Sequence, residues 1–88
     1  MTYRVKFSKK ANKIFKKIDR PIQKYIINYL ENNLEGCENP RIYGKALVGD
    51  KKKLWRYRIG NYRLICKIQD DELIILFINI GHRKSINK

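Results

Sequence analysis

Near the start of the chain Tyr3, Val5 and Phe7 fall on one parity and Thr2, Arg4 and Lys6 on the other, the period of two that predicts a half-buried strand. Ser8 follows as a hydroxyl N-cap. Beyond it Ala11, Ile14, Phe15 and Ile18 recur at three- and four-residue spacing with lysines between them, which predicts an amphipathic helix. Asp19-Arg20-Pro21 ends that helix, because proline lacks an amide proton and its fixed φ suits the first turn of a new one. In the second helix Ile22, Ile26, Tyr29, Leu30 and Leu34 keep the period to about Asn33, ahead of Gly36. The two read as a helical hairpin.

From Gly36 to Lys53 no period survives, and the segment reads as one long loop, which in so small a domain is functional or mobile. Strands are then predicted over Leu54–Ile59, Tyr62–Gln69 and Glu72–Ile80, with Gly60-Asn61 and Asp70-Asp71 as two-residue hairpin turns. In the last of them Ile74, Leu76, Ile78 and Ile80 alternate with Leu73, Ile75, Phe77 and Asn79. It is apolar on both faces and belongs at the centre of a sheet. The expected fold is α+β: an N-terminal strand, a helical hairpin, then a three-stranded antiparallel meander, with two helices packed on one face of an antiparallel sheet. Residues 1–88 form a single domain.

Parity in the first hairpin sorts the side chains. With Gly60-Asn61 as the turn, Trp55, Tyr57, Ile59, Tyr62, Leu64, Cys66 and Ile68 point toward the helices, while Arg56, Arg58, Arg63 and Lys67 point away. Arg58 lies directly opposite Arg63, an arrangement that repels by up to about 1 kcal/mol. Either the face is simply solvated, or it waits for a phosphate, whose oxygens match the guanidinium fork. His82 and Arg83 emerge at the end of the last strand, where an arginine can counter phosphodiester charge and an imidazole can move a proton near neutral pH.

Charge strengthens the phosphate reading. The 88 residues hold 21 Lys+Arg against 8 Asp+Glu, a formal net charge of +13, and neither Met1–Ile18 nor Lys51–Gln69 contains an acid. Such a chain gains from contact with a polyanion, through counterion release, or with an acidic protein. Its length excludes a cofactor domain joined to a substrate domain, and 43% hydrophobic residues exclude a disordered basic tail. No apolar run is long enough for a membrane span and no signal-peptide core opens the chain, so a cytoplasmic protein without a membrane partner is expected. Cys37 and Cys66 lack metal-site spacing and read as free thiols. No phosphate-cradling glycine loop, nucleophile elbow or RNA-binding GXXG loop is present, and Asp70, Asp71 and Glu72 read as turn residues rather than a catalytic carboxylate pair.

Three segments carry a resemblance: Pro40-Arg41-Ile42-Tyr43-Gly44-Lys45-Ala46-Leu47, Leu54-Trp55-Arg56-Tyr57-Arg58-Ile59-Gly60-Asn61-Tyr62-Arg63-Leu64-Ile65, and Ile80-Gly81-His82-Arg83. Together they resemble the RelE/ParE superfamily of type II toxin–antitoxin toxins, nearer its RelE branch. The resemblance implies a RelE-like fold and a ribosome-dependent endoribonuclease that cleaves mRNA in the A site. The implied reaction is cofactor- and metal-independent attack of the ribose 2′-hydroxyl on the adjacent phosphate. It further implies a monomer when free and a hetero-oligomer with a cognate acidic antitoxin, with ribosomal RNA and mRNA as the other partners.

By motif position Arg63 resembles the family's phosphate-binding arginine and Arg83 the one that assists the leaving oxygen. Arg56 lies where one of the catalytic lysines is found, and Lys52 or Lys53 can stand in for the other. His82 is the expected proton-transfer group, since an arginine does not deprotonate. Arg58, Lys52, Lys53, Lys67 and Asn87 are expected to contact substrate. Many relatives end His-Arg-x-x-x-Tyr, and Asn87 stands at the tyrosine position; it can hydrogen-bond but cannot stack. Two other functions stay open: a ParE-like inhibitor of DNA gyrase, and a catalytically weak or inactive nucleic-acid-binding homologue.

Overall fold

The computed structural model describes residues 1–47 and 54–82. Strand β1 spans Arg4–Phe7 and leads into helix α1, Lys9–Lys16, whose first turn is capped as expected, the Ala11 amide donating to Ser8 Oγ at 3.1 Å. Helix α2 follows over Arg20–Tyr29 with Pro21 in its first turn. Gln23 on α2 ties the hairpin together: its Nε2 donates to the carbonyls of Phe15 and Ile18 at 2.9 and 2.8 Å, adding a side-chain bond to the carbonyls at the end of α1. From Leu30 to Leu34 the helix widens to a π-turn, in which the Asn33 side chain donates from Nδ2 to the Tyr29 carbonyl at 3.0 Å.

The rest is strand: β2 Lys45–Ala46, β3 Trp55–Ile59, β4 Tyr62–Gln69 and β5 Ile74–His82, after a short 3-10 turn over Pro40–Ile42. Sheet order is β1-β5-β4-β3-β2. The last strand is central, as its two apolar parities require. The meander β3-β4-β5 is antiparallel, but β1 pairs parallel to β5, so the sheet is mixed rather than purely antiparallel. The helical hairpin lies between β1 and the meander and carries the chain across the layer, which leaves β1 running in the β5 direction. Its outer edge is closed locally: Tyr3 N–H donates to the Cys37 carbonyl at 2.9 Å and Val5 N–H to Glu35 Oε1 at 2.9 Å.

Three further expectations change. The long loop contains β2, too short at two residues to show a period. The Asp70-Asp71 turn is a four-residue loop, since Gln69 pairs with Ile74 and Leu73 takes a left-handed φ of 57°. Strict alternation in β5 breaks at a bulge, where Ile65 pairs with Asn79 but Cys66 with Phe77, leaving Ile78 extra. Ile75 and Phe77 therefore face the helices on one side of the bulge, and Ile80 and His82 on the other.

The core joins Ala11, Ile18, Ile26, Leu30 and Leu34 of the helical layer to Tyr57, Ile59, Leu64, Cys66, Ile75, Phe77 and Ile80 of the sheet, all buried. Phe77 is its hub, with ring centroids 5.4 Å from Phe7 and 5.9 Å from Tyr57. Truncating such a ring costs about 3–5 kcal/mol, a large share of the 5–15 kcal/mol by which small domains are stable. One sheet face is spent on this core. The other carries the charged strand residues, interleaved with Ile65, Ile74 and Leu76.

Candidate functional site

Strand register builds that second face row by row. Lys45 of β2 stands beside Arg56 of β3, and Arg56 beside Ile65 of β4. In the next row Arg58 pairs with Arg63, and Arg63 with Gly81 of β5, which adds no side chain. Lys67, Leu76 and Lys6 form a third row, and Gln69, Ile74 and Arg4 a fourth. Among the described strand residues every charged side chain on this face is cationic. Directly opposed residues hold their Cβ atoms about 4.5–5.5 Å apart, so Arg58 and Arg63 are within reach of one phosphate.

Their exposures differ. Arg58 is exposed, whereas Arg63 is 6% exposed and is the one charged residue among the buried set of described residues. Buried arginine is rare and is held only where it makes polar interactions. The pair sets one buried guanidinium beside one exposed guanidinium. Arg56, half-buried, extends it toward β2, and exposed Lys67 stands on the far side.

His82 is elsewhere. The β5 bulge puts it in register with Tyr62, on the helix side of the sheet, its ring edge-on to Tyr62 at a centroid separation of 5.3 Å. Pro21, Ile22 and Tyr25 of α2 line the same shallow pocket. Thus Arg56, Arg58, Arg63 and Lys67 are brought together and His82 is not. Lys52, Lys53, Arg83 and Asn87 lie outside the described residues. Lys45, Arg4 and Lys6 join the cationic face without having been singled out. Alternation marked Arg4 and Lys6 as outward, but only the parallel β1–β5 register places them on this side.

Side-chain hydrogen bonds tie the surrounding frame together. Tyr57 buries its ring and donates its hydroxyl to the Pro40 carbonyl at 2.5 Å, tying the 3-10 turn to β3. Trp55 Nε1 donates to the Tyr43 carbonyl at 2.8 Å. Arg41 reaches Asp70 through two bonds of 3.0 Å each, and the Tyr3 hydroxyl donates to the same carboxylate at 2.6 Å. This clasp joins three segments distant in sequence. Both cysteines are free thiols, and burial pushes Cys66 up to about 12, which removes it as a nucleophile at neutral pH. No described helix is long and apolar enough to cross a membrane.

A family model described as the ParE toxin of type II toxin–antitoxin systems matches residues 5–87. A RelE-like toxin protein of Escherichia coli is 34% identical over 86 residues, covering 96% of this chain and 86% of that protein. Among solved structures, the RelBE toxin–antitoxin complex of Mycobacterium tuberculosis superposes with a TM-score of 0.82 at 24% identity, over 94% of this chain and 100% of that one. The RelB-RelE antitoxin–toxin complex of Methanococcus jannaschii gives 0.66 at 29% identity, over 94% and 95%.

Proposed function

The chain belongs to the RelE/ParE superfamily of type II toxin–antitoxin toxins, and on that premise we propose that it is an endoribonuclease that cleaves mRNA at the ribosome. The observation that carries this reading is the pairing of Arg58 with Arg63 on a sheet face whose charged strand residues are all cationic. Two guanidinium forks on opposed strand positions match the oxygens of one phosphate, and a scissile phosphate is such a group. In-line attack by the ribose 2′-hydroxyl forms the bond to phosphorus as the bond to the 5′-oxygen breaks, giving a cyclic phosphate and a 5′-hydroxyl. Charge rises on the phosphoryl oxygens through the transition state, where preorganised guanidinium groups stabilise it most.

In this reading buried Arg63 and exposed Arg58 clamp the phosphate, Arg56 closes on the substrate beside them, and Lys67 holds the flanking backbone. Arg83 is assigned to the leaving oxygen, and Lys52, Lys53 and Asn87 to substrate contacts, by motif position. His82, across the sheet from the arginines, is expected to contribute less than its place in the motif implies. An acidic antitoxin is the proposed partner, on the footing that the superposed relatives were solved as toxin–antitoxin complexes.

Primer extension on mRNA incubated with translating ribosomes and the purified protein tests the reading. New 5′ ends are expected, with Arg63→Lys and Arg58→Ala each slowing cleavage by about 10²–10³-fold, and His82→Gln by less than about tenfold. Absence of new ends together with inhibition of gyrase supercoiling would establish the ParE-like alternative instead. A hundredfold loss in His82→Gln would restore the imidazole as the proton-transfer group.

A further inference from the structure

Where β2 begins, the β3 edge of the sheet holds a hollow of about 230 Å³ lined by Tyr29, Gly44, Lys45, Arg56 and Arg58. β2 pairs only Lys45 and Ala46 with β3, so β3 runs past it from Tyr57 to Ile59. The corner is shaped by close approach. Gly44 has φ +78°, and a Cβ there would lie 2.3 Å from the Arg56 carbonyl oxygen and 2.9 Å from Tyr57 Cδ1. On the helix side the Tyr29 ring meets Tyr43 edge-on at 6.4 Å, and the Tyr43 carbonyl is held by Trp55. Among the described residues the lining thus comprises one aromatic ring, three cations and no carboxylate.

We infer that this hollow is a one-nucleotide subsite for single-stranded RNA, with the base against Tyr29 and its phosphate on Lys45, Arg56 and Arg58. The inference rests on the RNA-cleaving reading above and extends its surface from the clamp to the sheet edge. Cations alone take any phosphate, whereas a ring beside them favours one that carries a base. At about 230 Å³ the hollow has room for a single base, with the sugar and phosphate lying on its cationic rim. Burial, with the Tyr43 and Tyr25 phenols nearby, holds the Tyr29 phenol above its usual range, so the ring stays uncharged beside a phosphate. The motif resemblance assigns stacking to the tail position now occupied by Asn87. Tyr29 offers a ring from a different element.

The chain has one tryptophan, and Trp55 braces the corner beneath the hollow, so its emission reports occupancy. The test titrates the full-length protein with a short 2′-O-methyl RNA, which cannot be cleaved, and with the same strand made abasic at one nucleotide. Saturable emission change is expected, weakened about tenfold by Tyr29→Leu and about fivefold by Lys45→Ala, with Tyr29→Phe close to wild type. The abasic strand should bind the wild type as weakly as the intact strand binds Tyr29→Leu, and should not distinguish the two proteins. Equal weakening of both strands by Tyr29→Leu, or loss in Tyr29→Phe as well, would overturn the subsite. Cleavage at ribosomes with Tyr29-independent binding would sink the subsite and leave the nuclease. Tyr29-dependent binding without cleavage would keep the subsite and sink the nuclease.

Discussion

At the scale of single residues, the clasp on Asp70 shows how pH enters. The Arg41 guanidinium, and after it the Tyr3 hydroxyl, hold the Asp70 carboxyl below its ordinary range. A carboxylate so lowered contributes stability in full above its unfolded value of about 3.9 and loses it as pH falls through the lower folded value. The pair is exposed, 44% for Arg41 and 52% for Asp70, so water limits the effect to at most about 1 kcal/mol. Thermal melts of wild type and Asp70→Ala should differ by a few degrees from pH 7 to about pH 5 and converge toward pH 2. A difference that grows on acidification would show that the carboxylate is not the stabilising form. Sequence showed Asp70 only as a turn residue. Its partners lie 29 and 67 positions away, beyond any local pattern. Arg63 was legible by parity as a face residue, but its burial was not, because parity reports side and not depth.

The elements divide along similar lines. β1, both helices, β3 and β4 follow directly from periods of two and 3.6, reinforced by Ser8, Pro21 and the Gly60-Asn61 turn. β2 and the β5 bulge do not. A two-residue strand carries no period, and a bulge in an apolar run changes no hydrophobic residue to a polar one, so nothing marks it locally. The bulge nevertheless decides where His82 points, and with it which residues share the arginine face. β2 depends on one glycine. Replacing Gly44 by alanine should place a methyl against the Arg56 carbonyl in a left-handed backbone, costing about 2–4 kcal/mol. Denaturant unfolding would show it as a lowered midpoint with unchanged slope, and the β3 amides opposite β2 should exchange faster. Gly36→Ala, equally left-handed but with nothing near its Cβ, is the control. It should cost only the backbone strain.

For the whole molecule the +13 charge is not uniform, because α1 and the sheet face present their cations in opposite directions. Lys9, Lys10, Lys13 and Lys16 ride an exposed helix stripe on one layer, and the arginines occupy the far side of the other. A global field steers any polyanion to the protein, but only cations that touch phosphate release its condensed counterions and so set the salt dependence of binding. Each contacted phosphate of a single strand contributes a slope of about −0.7 in log K against log salt. Titrating the uncleavable RNA between about 50 and 200 mM salt should therefore show Arg58→Ala flattening the slope by about 0.7, with Lys9→Ala parallel to wild type. Equal flattening by both would mean that RNA lies over the whole basic surface and that the arginine face has no special claim. Parallel lines for Arg58→Ala, with a lower intercept, would place Arg58 near the strand without touching phosphate and would transfer the clamp to Arg56 and Arg63.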